Sequence, residues 1–149
     1  MHRWFGLAEP PVLTRVAFGA ILLYPVDRRE AGYRLLQQYL DHVELDPVGS
    51  TDFMYQINRP RDATTEVVGL RINRLSRWSV ASFVPALLHV SSDGIGPVAQ
   101  QAAQYACGLQ LDVNTVPDYR GPLAQDQLRP IFTELVRLGM EIVEMGDVP

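Results

Sequence analysis

Alternation with a period of two constrains this chain most. Phe53, Tyr55 and Ile57 alternate with Met54, Gln56 and Asn58; Val68, Leu70 and Ile72 with Gly69, Arg71 and Asn73; Leu109, Leu111 and Val113 with Gln110, Asp112 and Asn114. Successive side chains of a strand point to opposite faces, so each run reads as a strand with one face on a core and the other polar. Val12 to Tyr24, rich in β-branched and aromatic residues, is a further strand in which Gly19 marks a bulge or a close backbone approach. Pro60 ends the second strand or places it at an edge, and the short link to the run Glu66 to Leu75 predicts a hairpin. Ile57-Asn58-Arg59 recurs as Ile72-Asn73-Arg74, but one echo makes no repeat architecture.

The helical signals are fewer. Asp27 stands three residues before Glu30, the spacing of a capping box, and Tyr33, Leu35, Leu36, Tyr39 and Leu40 then lie close to one face. Pro97 and Gly108 bracket an Ala/Gln-rich stretch that predicts a short helix over 97–106. The clearest helix is the last, where Leu128, Ile131, Phe132, Leu135, Leu138, Ile142 and Val143 recur at three- and four-residue intervals and Gly146 stops the run. Pro130 falls in its first turn or kinks it, and Gly139 costs up to ~1 kcal/mol relative to Ala unless packing uses its small size. Trp78 to Val90 reads either way: Ser79 to Phe83 suits a strand, the preferred reading, whereas Pro85 to Leu88 could open a helical turn.

A hairpin set among helices favours an α+β fold: a mixed or antiparallel sheet of four to five strands, with two longer helices and one short helix packed mainly on one face. At 149 residues the chain suits a single globular domain spanning 1–149, large enough to bury roughly 68–70% of the surface its unfolded form exposes. Hydrophobic residues make up 47% and charged ones 20%, which excludes a disordered chain. Cys107 is the only cysteine, so no disulfide within the chain and no cysteine-based metal site can form. Met1 to Gly6 does not read as a signal peptide, and the longest apolar stretch, Val16 to Tyr24, is about half the ~20 residues of a membrane-spanning helix. These readings imply a cytoplasmic protein with no membrane partner. All thirteen basic residues are Arg and none is Lys, which points to a bacterial source with GC-rich coding.

Charge is unevenly spread. Residues 59–77 carry five Arg against Asp62 and Glu66, while residues 112–149 carry seven acids against three Arg. That asymmetry permits self-association through complementary patches, or a local anionic contact; the formal net charge of −4 argues against a general nucleic-acid footprint.

Local motifs for chemistry are sparse. Gly94-Ile95-Gly96-Pro97-Val98-Ala99 matches a dinucleotide fingerprint, but polar Ser91-Ser92-Asp93 precedes it, and an ordinary loop opening a helix explains it better. His42, Glu44 and Asp46 share one side of an extended segment and offer nitrogen and oxygen ligands, although an acidic loop after a helix accounts for them. His2 and His89 have no ligating neighbour in sequence, no G-x-S-x-G elbow is present, and Cys107 reads as core filler. No cofactor, metal site or catalytic residue is assigned.

The coherent surface feature is a polar sheet face of Gln56, Asn58, Arg71, Asn73, Gln110, Asp112 and Asn114, sharpened by the Arg-rich hairpin. Tyr55, Asn58, Arg59, Arg61, Arg71, Asn73, Arg74, Arg77 and Trp78 are the expected partner-binding residues, since Arg and aromatic side chains are enriched at protein interfaces. An open sheet edge would favour pairing with another copy or an extended peptide. The leading expectation is a non-catalytic interaction or assembly module, an accessory subunit of a bacterial cytosolic complex. The alternatives are a nucleic-acid-contacting accessory protein using the same hairpin, and a small enzyme pairing Asp112 with His42 or His89 as acid and base.

Overall fold

The computed structural model describes residues 12–84, 86–91, 94–100, 102–119 and 121–149, with backbone alone for 86–91 and 94–100. Its elements run β1 (Ala17–Val26), α1 (Arg29–Leu36), β2 (Met54–Asn58), β3 (Arg61–Asp62), β4 (Arg71–Phe83), β5 (Ala86–Ser91), β6 (Gly94–Gln100), β7 (Gln104–Thr115) and α2 (Gln125–Met145). This is an α+β fold with a five-stranded antiparallel sheet, in which β1, β7, β4 and β2 lie side by side and β3 pairs with β4 beyond the end of β2. β5 and β6 form a separate antiparallel pair.

The chain divides into two compact units, and β1, β4 and β7 each contribute residues to both. One comprises Met1–Ile21, Tyr55–Arg77 and Leu109–Pro149; the other comprises Leu22–Met54 and Trp78–Gly108. In the first, Val16, Val67, Leu70, Ile72 and Val113 meet Leu123, Leu128, Ile131, Leu135 and Leu138 in an apolar core. The α2 residues of this set recur at the helical spacing the sequence shows, so one stripe of the helix covers one face of the sheet. A Cβ at Gly139 would come within 2.7 Å of Phe18 Cε1, so the glycine is what lets helix and strand approach. In the second unit Tyr33, Leu36 and Leu40 are buried, Tyr33 meets Phe53 edge-on, and Tyr39 stacks on Trp78 at 5.9 Å between ring centroids.

Several sequence expectations need correction. The short helix over 97–106 is not there: 94–100 is strand β6 and β7 begins at Gln104. Cross-strand pairing outweighs the helical propensity of Ala and Gln, and Pro97 sits opposite Leu88, next to an irregularity in the ladder where a missing N–H is tolerated. With strand in that place, the Gly94–Ala99 motif has no helix to open. The second hairpin strand begins at Arg71 rather than Glu66. Val68, 94% exposed, and buried Leu70 therefore belong to a turn and do not share a face. That strand then continues unbroken to Phe83, joining the two runs read separately in the sequence. Helix α1 is capped at Arg28 with no side-chain hydrogen bond, so Asp27 and Glu30 form no capping box. Pro130 lies in the second turn of α2. The expectations for Met1 to Gly6, His2 and Asp93 fall outside the described residues. Among those described, no helix is long and apolar enough to cross a membrane.

Candidate functional site

The Arg-rich hairpin of the first unit is divided by the pleat of its strands. On β4, Arg71, Asn73 and Arg77 point to one face of the sheet; Ile72, Arg74 and Ser76 point to the other, under α2. On β2, Met54, Gln56 and Asn58 take the outer face and Tyr55 and Ile57 the inner. The nine expected partner-binding residues therefore fall into different environments.

Asn58, Arg71, Asn73 and Arg77 lie on the outer face. Three carboxamides make a chain of hydrogen bonds across β2, β4 and β7: Asn58 Nδ2 donates to Asn73 Oδ1 at 3.0 Å, and Asn73 Nδ2 to Asn114 Oδ1 at 3.1 Å. Asn114 Oδ1 also accepts from Arg15 Nη2 at 3.1 Å, and Asn114 Nδ2 donates to Asp112 Oδ1 at 2.8 Å. Asn58 Oδ1 accepts the backbone N–H of Arg74 at 3.0 Å, a bond that ties the ladder to the main chain. Arg77 Nε donates to Gln56 Oε1 at 2.8 Å, and Arg71 meets Asp62 at 3.3 Å with both side chains largely in water. An exposed pair of that kind contributes little to stability.

Tyr55, Arg59, Arg61 and Arg74 face inward and meet the end of α2. Gly146 closes the helix with φ 82°, a left-handed conformation that glycine adopts without strain, and its N–H donates to Ile142 O at 3.0 Å. That turn brings Asp147 back onto the hairpin. Arg59 grips its carboxylate through Nε at 2.6 Å and Nη2 at 2.9 Å, and the Tyr55 hydroxyl donates to Oδ2 at 2.6 Å. Burial and the neighbouring Asp147 push the Tyr55 phenol up, and the hydrogen bond to Asp147 raises the Arg59 guanidinium. In the last turns of α2, Glu141 Oε1 is 2.8 Å from Arg61 Nη1 and 3.2 Å from Arg74 Nη2, and its Oε2 is 3.5 Å from Arg137. Arg61 Nη2 donates to the carbonyl of Pro149.

Arg74 is the unusual member. Its side chain is 1% exposed, and burial followed by the charge of Arg61 pulls its pKa down. Nε and Nη1 are buried and have no hydrogen-bond partner. Such unmet donors cost roughly 1–3 kcal/mol apiece in a protein interior.

Two of the nine residues are thus corrected from surface to interior. Arg74 lies under α2 because even-numbered positions of β4 turn inward; Trp78, 3% exposed, does so on the same strand and stacks against Tyr39.

Comparison with models of known protein families, with curated proteins and with solved structures finds no match.

Contacts of three other candidates, Asp46, Asp112 and Cys107, are also defined. Asp46 Oδ1 accepts the N–H of Val48 at 2.9 Å, and backbone hydrogen bonds from Gly49 and Val48 hold its pKa below the usual carboxylate value. Asp46 thus shapes its own turn, and no cluster of three or more His, Cys, Asp or Glu suited to a metal occurs among the described residues. Asp112 is engaged by Asn114. Cys107 is buried, its thiol donates to the carbonyl of Gly32 at 3.2 Å, and burial pushes its pKa up to about 11. What the sequence reading missed is Glu134: its Oε1 accepts from the N–H and hydroxyl of Thr64, both at 2.8 Å, which pins the hairpin loop to α2. An acid at a core-facing position of the terminal helix was the available signal.

Proposed function

We propose that this protein is a non-catalytic interaction module, an accessory subunit of a cytosolic bacterial assembly, that docks a protein partner on the outer sheet face through Asn58, Arg71, Asn73 and Arg77. The observation that supports this reading is the carboxamide ladder from Asn58 to Asn114 on a face that bears exposed Gln56, Arg71, Arg77 and Gln110. Side chains ordered before binding lose less entropy when a partner arrives, and forked guanidinium groups beside them suit carboxylates and main-chain carbonyls. The set is narrower than the one read from the sequence, because Tyr55, Arg59 and Arg61 are engaged with Asp147 and Glu141.

The test is affinity purification from the native host with wild-type chain and with Arg71→Glu/Arg77→Glu. Both positions are exposed, so the exchange should alter stability by about 0.5 kcal/mol or less. The reading requires a stoichiometric protein partner that the double variant loses and Arg59→Gln keeps. Recovery of nucleic acid, of the chain paired only with itself, or of a partner indifferent to the two charge reversals would overturn it.

A further inference from the structure

β7 lies along one side of β1, and among the described residues no strand lies along the other. Thr115 donates its N–H to Val16 O at 3.0 Å, and the backbone groups of an antiparallel strand alternate sides. Ala17, Gly19, Ile21 and Leu23 therefore turn their N–H and C=O groups to the open edge. Their side chains share the face opposite Phe18, which meets Phe132 of α2 edge-on, and Ile21 and Leu23 are 71% and 59% exposed. Edge strands are ordinarily blunted by charged side chains, lysine above all. No charge interrupts residues 16–26. The flanking charges are Arg15 at one end and Asp27 at the other, both exposed and neither in an ion pair among the described residues.

We propose that β1 pairs antiparallel with β1 of a second copy of this chain, about a twofold axis at Ile21. That register sets Ile21 against Ile21, Leu23 over Gly19, and Arg15 against Asp27 at both ends. The flanking charges commit the edge to its own copy. An apolar strand bracketed by opposite charges is complementary to itself when reversed, whereas an extended peptide of unrelated sequence gains neither ion pair. Gly19 fits the same register: among the described residues a Cβ there would meet only Leu111 O, at 3.7 Å, so one chain leaves room at this position for Leu23 of the other copy. Pro25, with no N–H to give, falls opposite Ala17 and ends the ladder. The inference stands on β1 alone and does not rest on the docking role of Arg71 and Arg77.

The experiment is sedimentation equilibrium of the purified full chain from micromolar to millimolar concentration. The proposal expects a reversible equilibrium between monomer and dimer. Ile21→Lys brings two ammonium groups together at the axis and should raise the dimer dissociation constant about tenfold or more, with the circular dichroism spectrum unchanged because the position faces water. Arg15→Glu and Asp27→Arg each set like charges together at both ends, so each variant alone should dimerise more weakly than wild type. An equimolar mixture of the two restores opposite pairs and should dimerise as wild type does. Arg15 also donates to Asn114 and Thr115; if Arg15→Glu does not fold, Ile21→Lys and Asp27→Arg decide. A wild type that stays monomeric throughout, a dimer indifferent to Ile21→Lys, or a mixture no tighter than either variant alone would overturn the proposal.

Discussion

Cys107 shows how a residue's surroundings set its chemistry. Buried and donating to the Gly32 carbonyl, with its pKa raised to about 11, it holds no thiolate to speak of near neutrality. Iodoacetamide should therefore label the folded protein many times more slowly than the same protein in urea, as followed by intact mass. The raised pKa also fixes a sign. Its contribution to stability is complete below the ordinary value of 9.0 and declines as pH rises through about 11. Denaturant midpoints of wild type and Cys107→Ala should accordingly converge across that window. A wild-type stability that rises there relative to the alanine variant would contradict the assignment.

Among the elements, the hairpin and α2 depend on each other through side chains far apart in sequence. Glu134 is 6% exposed and takes two hydrogen bonds from Thr64. Glu134→Ala leaves the Thr64 donors free to turn to water but opens the seam, and should lower unfolding free energy by about 1–3 kcal/mol. Thr64→Ala removes only the hydroxyl donor, so it should cost less, and urea titration of the pair measures the difference. Much of this arrangement was legible beforehand. Alternation alone placed Asn58, Arg71, Asn73, Gln110 and Asp112 on one face, and the three- and four-residue spacing from Leu128 to Ile142 marked the covering helix. The inward turn of Arg74 follows from the same alternation once Ile72 is placed in the core, yet an arginine on a core face runs against residue preference. Its acceptor, Glu141, lies 67 residues further on and leaves no local trace. The strand β6 was illegible for the opposite reason: local signals favoured a helix, and only pairing with β5 supplies the ladder that overrides them.

At the scale of the whole molecule, the sheet order makes β4 and β7 interior and leaves β1 at an edge. Amides of Ile72 and Val113, both fully buried, should be the slowest to exchange with deuterium in the monomer, and those along β1 distinctly faster. Equal protection of β1 and β7, read by NMR, would show that the edge is covered in solution. The uneven charge that the sequence displays is also seen here, because residues of the basic middle pair with acids of the tail within the chain. Arg59 waits 88 residues for Asp147, and Arg74 waits 67 for Glu141. During translation at ~5–20 residues per second, that interval lasts on the order of ten seconds. Until the final turns of the chain are made, the hairpin's five Arg have only Asp62 and Glu66 within residues 59–77 to offset them, so the excess positive charge emerges ahead of the acids that later pair with it.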